Sequence, residues 1–399
     1  MKVALFGIGA SGAKARIGVD IGTRYVKVAQ LNPTSQGIQL QSYGISATPQ
    51  GAVTDGILNN PEAVGEALQQ IVKYFGIKER KAVCALPGRL VTIRTVNLPA
   101  GLSDREVKVA TIGEVERFLQ FPLDEMEYDY QVLGTQETGD RKQVSVLFVA
   151  SHKDSVQKRV ESLRHGGLDS VEVDVEPFVL MRSVVEAGLF NEQETFQQTI
   201  MLMEMGASST GLSIIAGGSL RFTRIFAIGG DTFTHAIESG FDMSFLDAEK
   251  LKKEKAVAVV DEGAGVDGES REIHELIRSH LENLAMEVRR SIAYYTSKYR
   301  GEAVNRIILT GGGSLMKGIR KFFEDEIGIP VGYANPLANV VYVGDREVEE
   351  LSPKVPYMGV AVGLSLRQMP PRVLGRFTMP VAVELGYEFG SAAHSAGVS

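Results

Sequence analysis

One cysteine, Cys84, stands in 399 residues, so no disulfide can form within the chain. A single thiol agrees with a reducing compartment. No apolar run reaches about 18 residues, which excludes a helical membrane span. The first residues lack the long apolar stretch of a secretory signal, so the default expectation is a cytoplasmic protein. There is no surplus of basic charge. The net charge is −7, and nothing advertises a nucleic-acid surface. Metal-ligand spacing is absent as well: His274 and His280 lie six positions apart, on different faces of a helix. What the chain has in quantity is glycine, 43 residues of it, and three glycine sites decide the reading.

The first is "GIGASG", residues 7–12, a complete G-x-G-x-x-G. A dinucleotide site needs a strand before it and a helix after it, with an acidic residue about twenty positions on. Only four residues separate Gly12 from the strand-like "IGVDIG". No helix fits there. No phosphate-gripping loop fits either, because Lys14 does not follow a glycine directly and no Ser or Thr comes after it. Residues 1–15 read as a flexible segment.

Beyond it, strand-like segments alternate with amphipathic helices, which predicts an α/β fold. Helices are expected over 61–75, 104–119 (with Ser103 as N-cap), 153–165 and 271–300. "KAVCALP", "QVSVLFVAS" and "SVEVDVEPF" read as strands. After "LRQM" the pattern dissolves into a tail. Within the tail, "RVLGRFTMPVAVELGYEF" is broken by Pro380 and Gly386 and makes a poor membrane helix.

The other two glycine sites belong to a repeat and a turn. "IGVDIGTRYVKVAQL" from Ile17 and "MLMEMGASSTGLSII" from Met201 share one plan: apolar strand, acid, apolar residue, glycine, small turn, second strand. Asp20 aligns with Glu204, and Gly22 with Gly206. Then "RIILT" runs into Gly311, Gly312 and Gly313, with Ser314 placed to cap a following helix. Glycines there let the backbone approach a flat ring or a phosphate. Lys27 alternates outward along its strand and reads as solvated.

These motifs, in this order, resemble the actin-like ATPase superfamily, shared by actin, sugar kinases and Hsp70. The match is nearer to the PilM family of type IV pilus assembly, with the division protein FtsA as a cousin. It is carried by "DIGTRYVK", "VNLPAGLSDREVKVATIGEVERFLQFPLDEMEYDYQVLG" and "GGDTFTHAIESGFDMSFLDAEKLKKEKA", and it covers residues 16–368. The resemblance implies a two-lobed actin-like, ribonuclease H-like α/β fold with an FtsA-like subdomain inserted in the first lobe. The implied division is a first lobe of 16–86, 166–196 and 355–369, an insert over 87–165, a second lobe over 197–354 and a tail from 370.

The resemblance implies ATP with Mg2+ as ligands. Asp20, Gly22 and Thr23 would form the first phosphate loop. Gly206, Ala207 and Ser208 would form the second, and Gly311, Gly312, Gly313 and Ser314 the adenosine turn. Glu249 and Lys252 would contact the ribose, although as an i,i+3 pair they could equally be a surface ion pair. Asp20 and Glu204 would hold the metal, with Asp174 a third candidate. Asp174 and Glu204 would be the catalytic acids. Glu204 stands where the family has Asp, which predicts weak ATP hydrolysis at most. The implied role is a cytoplasmic scaffold held at the inner membrane by a PilN-like partner through that partner's N-terminal peptide, among other pilus assembly proteins. An FtsA-like division protein and a small-molecule kinase are the alternatives.

Overall fold

The computed structural model describes residues 4–5, 16–34, 37–138, 141–189, 197–259, 267–299, 301–343, 352–367 and 384–385. The expectations for residues 1–15 and for the tail fall largely outside these, and "GIGASG" falls wholly outside.

The first sheet is built around a buried strand. Strand β2 (Ile17–Ile21) is buried along its whole length. It pairs antiparallel with β3 (Tyr25–Thr34), which turns back into β4 (Gly37–Ala47). A two-residue strand β1 (Ala4–Leu5) lies at the far edge. After the small hairpin β5 (Val53–Thr54) and β6 (Ile57–Leu58) comes helix α1 (Pro61–Tyr74). Asn60 caps it by accepting from Ala63 N, and Pro61 occupies the first position, where a missing N–H costs nothing. Val64, Leu68 and Ile71 form its buried stripe. Strand β7 (Lys81–Leu86) then pairs parallel with β2.

A second, smaller layer follows: β8 (Val91–Pro99), helix α2 (Asp104–Val115), β9 (Met126–Thr138) and β10 (Arg141–His152). Ser103 and Glu106 form a reciprocal capping box at the start of α2. The helix ends at Val115 and continues as one 3₁₀ turn to Phe118, short of the expected 119. Val96, Leu98, Val107, Val115, Phe148 and their neighbours give this antiparallel sheet a core of its own. Helix α3 (Lys153–His165), strand β11 (Asp169–Val175) and helix α4 (Glu176–Leu180) return the chain to the first sheet.

The second lobe repeats the plan. Strands β12 (Ile200–Met205), β13 (Thr210–Ala216) and β14 (Ser219–Phe226) form a meander. Helices α5 (Gly230–Phe241), α6 (Phe245–Lys255) and α7 (Gly268–Lys298) cover it. Strand β15 (Arg306–Thr310) pairs parallel with β12. Thus β12 sits between β13 and β15 as β2 sits between β3 and β7. Helix α8 (Ile319–Ile327) and strand β16 (Val331–Tyr333) complete this sheet. Strand β17 (Val340–Tyr342) crosses back to β4, and the fully buried helix α9 (Gly359–Leu366) packs on β2 and β3. Finally, β18 (Glu384–Leu385) pairs with both β14 and β8. Helix α7 starts at 268, three residues before the expected point, because Asp267 caps it by accepting from Ser270 N.

Candidate functional site

Two hairpin turns meet between the sheets. In the first, Gly22 N donates to Tyr25 O at 3.1 Å; in the second, Gly206 N donates to Ser209 O at 2.9 Å. The acid precedes the glycine by two residues in both, as Asp20 and Glu204. The sequence repeat is therefore a repeat of geometry. The turns face one another, with Thr23 Oγ1 3.5 Å from Ser208 Oγ. They close a cavity of about 890 Å³, within the usual range for ligand sites.

Asp20, Gly22, Thr23, Glu204, Gly206, Ala207, Ser208, Glu249, Lys252, Gly311, Gly312 and Gly313 all line this cavity, as the sequence places them. Asp174 and Ser314 do not. Asp174 is fully buried behind the wall. Its carboxylate accepts from Arg182 at 3.2 Å and Arg367 at 2.5 Å, and from Val175 N. Pinned by two guanidinium groups, it is not available as a base facing the cavity. Ser314 is buried too, and its Oγ donates to Gly311 O at 2.7 Å. It staples the glycine turn and caps no helix, since α8 begins at Ile319 after Gly318.

The glycine turn has a local reason. Gly311 adopts φ +81, and a Cβ there would meet Met205 O at 2.6 Å. A Cβ on Gly312 would meet the Tyr357 ring at 2.9 Å. The glycines let β15 enter the turn against protein already in place.

Two residues carry the floor of the cavity that the sequence reading missed. Lys27 is not solvated. Its Nζ lies 2.5 Å from Asp20 Oδ2, its strand partner, and the side chain is 15% exposed. Burial works to discharge this lysine, but the charge and hydrogen bond of Asp20 outweigh it and hold its pKa above the ordinary value. The second is Glu176, the first residue of α4, two positions beyond Asp174. Burial, then the charge of Asp20, pushes its carboxyl up to about 7. Glu204 is pushed up to about 8, by burial first and then by Glu176. Lys27 thus sits among three carboxyl groups, and the buried Arg159 guanidinium also acts on Glu176, ahead of Lys27. The signal for Lys27 was its place seven residues after Asp20, across a tight turn.

The wall beside them belongs to α5 and α6. Lys252 Nζ donates to Gly230 O at 2.8 Å and Thr234 Oγ1 at 2.7 Å, and pairs with Glu249 at 2.6 Å. Both side chains are largely buried, so this is no surface pair. The first N–H groups of α5 are occupied: Gly230 N donates to Gly206 O and Asp231 N to Ala207 O. At the rim, Arg24 of the first turn holds Asp231 through two bonds, at 2.9 and 2.8 Å. Chemically, this cavity offers two polar turns, a buried ammonium and carboxyls able to balance it. Among the described residues no cluster of three or more His, Cys, Asp or Glu side chains has the geometry to hold a metal by itself.

The family model "Type IV pilus assembly protein PilM" matches residues 18–369. The chain belongs to this family. A solved PilM-PilN type IV pilus biogenesis complex superposes with a TM-score of 0.76 at 27% identity, covering 89% of this chain and 99% of that one. The cell division protein FtsA of Bacillus subtilis is 20% identical over 371 residues, 84% of this chain and 81% of its own length. FtsA of Pseudomonas aeruginosa is 24% identical, covering 81% and 83%. The ethanolamine utilization protein EutJ from Carboxydothermus hydrogenoformans shares the fold, with a TM-score of 0.51 at 16% identity and coverage of 90% and 92%. The architecture of this PilM-family chain is the two-lobed actin-like α/β fold with an FtsA-like inserted subdomain. None of its described helices is long and apolar enough to cross a membrane.

Proposed function

We propose that this PilM-family chain binds ATP with Mg2+ between its lobes and serves as a cytoplasmic scaffold of type IV pilus assembly. The observation that carries the reading is the pair of facing turns, with Thr23 and Ser208 3.5 Å apart over one cavity. Gly22 N and Gly206 N close those turns, so Thr23, Ala207 and Ser208 are the residues whose N–H groups would meet phosphate oxygens. Lys27 would face the same anion. Glu249 and Lys252 would line the ribose, and Gly311–Gly313 with Tyr357 the base.

The residues present fit a hydrated metal better than a directly caged one. Asp20 is engaged by Lys27, and Glu204 holds a proton over much of the neutral range. Magnesium on phosphate keeps several waters and needs one or two carboxylates. Asp20 and Glu204 would hold it through those waters, where it would neutralise phosphate charge. Weak hydrolysis follows from a floor whose lysine is paired and whose carboxyls are crowded.

The partner reading rests on the inserted subdomain. Val109, Phe118, Phe121 and Val132 expose apolar surface there. A solved PilM relative forms a complex with PilN. An extended peptide from a PilN-like inner-membrane protein would bind along this subdomain and hold the chain at the membrane.

Calorimetry tests the first half: Mg-ATP should bind, and it should raise thermal stability by about 2.7 kcal/mol at a hundredfold excess over Kd. No heat at millimolar Mg-ATP sinks the nucleotide reading. A bulky residue at Gly312 is no useful variant, because it would displace Tyr357. Lys252→Met, which removes a cavity-lining ammonium, should weaken binding. The second half is tested separately, by titrating a PilN N-terminal peptide into the wild type and Phe118→Asp/Phe121→Asp. Equal affinity for both removes the peptide from this surface while leaving the nucleotide result standing.

A further inference from the structure

Behind the cavity floor lies a second, smaller chamber of about 30 Å³. Gly88 and Pro177 stand at one side of it, and Ser213 and Thr223 of the second-lobe sheet at the other. Glu176 and Glu204 line both spaces, so these two carboxyls form the partition. Glu204 straddles it. A Cβ on Gly311 would stand 3.0 Å from its Oε1, on the nucleotide side, and a Cβ on Gly211 would stand 3.9 Å from its Oε2, on the far side. Gly211 is thus the gap through which the back of the carboxyl looks into the chamber.

The sheet explains which side chains face this space. Glu204 pairs with Gly211 across β12 and β13, and Ser213 pairs with Thr223 across β13 and β14. Gly211 and Ser213 stand two apart on β13, so all four lie on one face. Thr223 is 2% exposed, and its Oγ1 has no hydrogen-bond partner in the protein. Ser213 is buried beside it. Burial and neighbouring charges act on Glu204, but no hydrogen bond from the described residues reaches its carboxyl.

A buried hydroxyl with nothing to bond is costly. A water needs about 10–15 Å³ and two to four polar partners. This chamber therefore has room for about two waters, and Thr223, Ser213, Glu176 and Glu204 are there to meet them. We propose that the chamber is a built water site, in which an ordered pair of waters joins Thr223 and Ser213 to the back of the Glu204 carboxyl. Water both donates and accepts, so it serves that carboxyl with or without its proton. Thr223 then acts on the nucleotide cavity without touching it. Through the waters it fixes the direction of the acid that would face hydrated magnesium, as outer partners of a metal ligand do. This positioning role rests on the Mg-ATP reading; the water site does not.

Thr223→Val keeps the shape and removes the hydroxyl, while Thr223→Ser keeps the hydroxyl. A high-resolution crystal structure of the ligand-free full chain should show water bonded to Thr223 Oγ1. Thr223→Val, which takes a partner from that water, should melt lower than the wild type by on the order of 1 °C. A dry chamber predicts the reverse, because valine would then remove an unpaired hydroxyl. Absence of water density there, or a Thr223→Val protein that melts higher, overturns the water site.

Calorimetry with ATP, in magnesium and in EDTA, reads the positioning role. The gain in ATP affinity that magnesium brings should fall about tenfold in Thr223→Val. It should return in Thr223→Ser, and the affinity in EDTA should stay constant throughout. An unchanged gain in Thr223→Val overturns the positioning role. If the wild type binds no Mg-ATP, the nucleotide reading fails instead, and the density and the melts still decide the waters.

Discussion

Lys27 Nζ lies 2.5 Å from Asp20 Oδ2, and the same ammonium feels the charges of Glu204 and Glu176 on the cavity floor. The pair exists because β2 and β3 set Asp20 opposite Lys27 in register. Removing one partner of a buried pair costs more than the pair contributes, since the other charge is left alone. Lys27→Met should therefore destabilise the ligand-free chain by about 3–5 kcal/mol at pH 8. The loss should shrink near pH 5.5, where Glu176 and Glu204 are protonated. Urea unfolding at the two pH values measures it. An equal loss at both would mean that Lys27 balances Asp20 alone.

Glu204 makes the opposite prediction. Burial, then Glu176, raises its folded pKa to about 8, against about 4.3 in an unfolded chain. Between those values the folded carboxyl keeps a proton that the unfolded one has released. The folded state binds more protons there, so stability falls as pH rises from about 5 to about 8. Glu204→Gln keeps the shape and removes the charge. It should flatten this part of the profile and leave the variant several kcal/mol more stable than the wild type at pH 8.5, up to roughly 5 kcal/mol for a shift of that size. Thermal melts of ligand-free protein across that range decide. A wild-type profile that climbs from pH 5 to pH 8 would contradict the assignment.

Most of the framework was legible because it is local. Asn60-Pro61 starts α1 and Ser103 with Glu106 starts α2, each within four residues of sequence. The two acid-turn hairpins were legible for the same reason, and their common plan led directly to the cavity. What failed depended on distant chain. Lys27 points outward from its own strand, but that face looks into the cavity, where Glu204 of the other lobe acts on it, so alternation alone reads it as solvated. Asp174 and Glu176 are both acids at the end of one strand. Only the packing of Arg182 and Arg367 around Asp174 decides that the second faces the cavity. Ser314 has the right chemistry for a cap, but Gly318 bends the chain before the helix starts.

Arg24 and Asp231 join the two lobes at the cavity rim. Arg24 also lies 4.2 Å from the Phe245 ring centroid, and beside it Lys253 donates to the Tyr25 hydroxyl at 3.0 Å. These contacts run from the first turn to α5 and α6, so they must break for the lobes to part. Arg24 is 38% exposed, and a pair that wet contributes ~1 kcal/mol or less to folding. Arg24→Ala should accordingly shift the melting temperature only slightly. Its effect should appear in kinetics. An opening barrier lower by ~1 kcal/mol means release about fivefold faster. Stopped-flow release of a fluorescent ATP analogue from wild type and Arg24→Ala reads this directly. The loss should lie in the off-rate, since most affinity changes within one site do. If the off-rate is unchanged while the analogue still binds, the lobes open elsewhere, and the Arg24–Asp231 pair only decorates the rim.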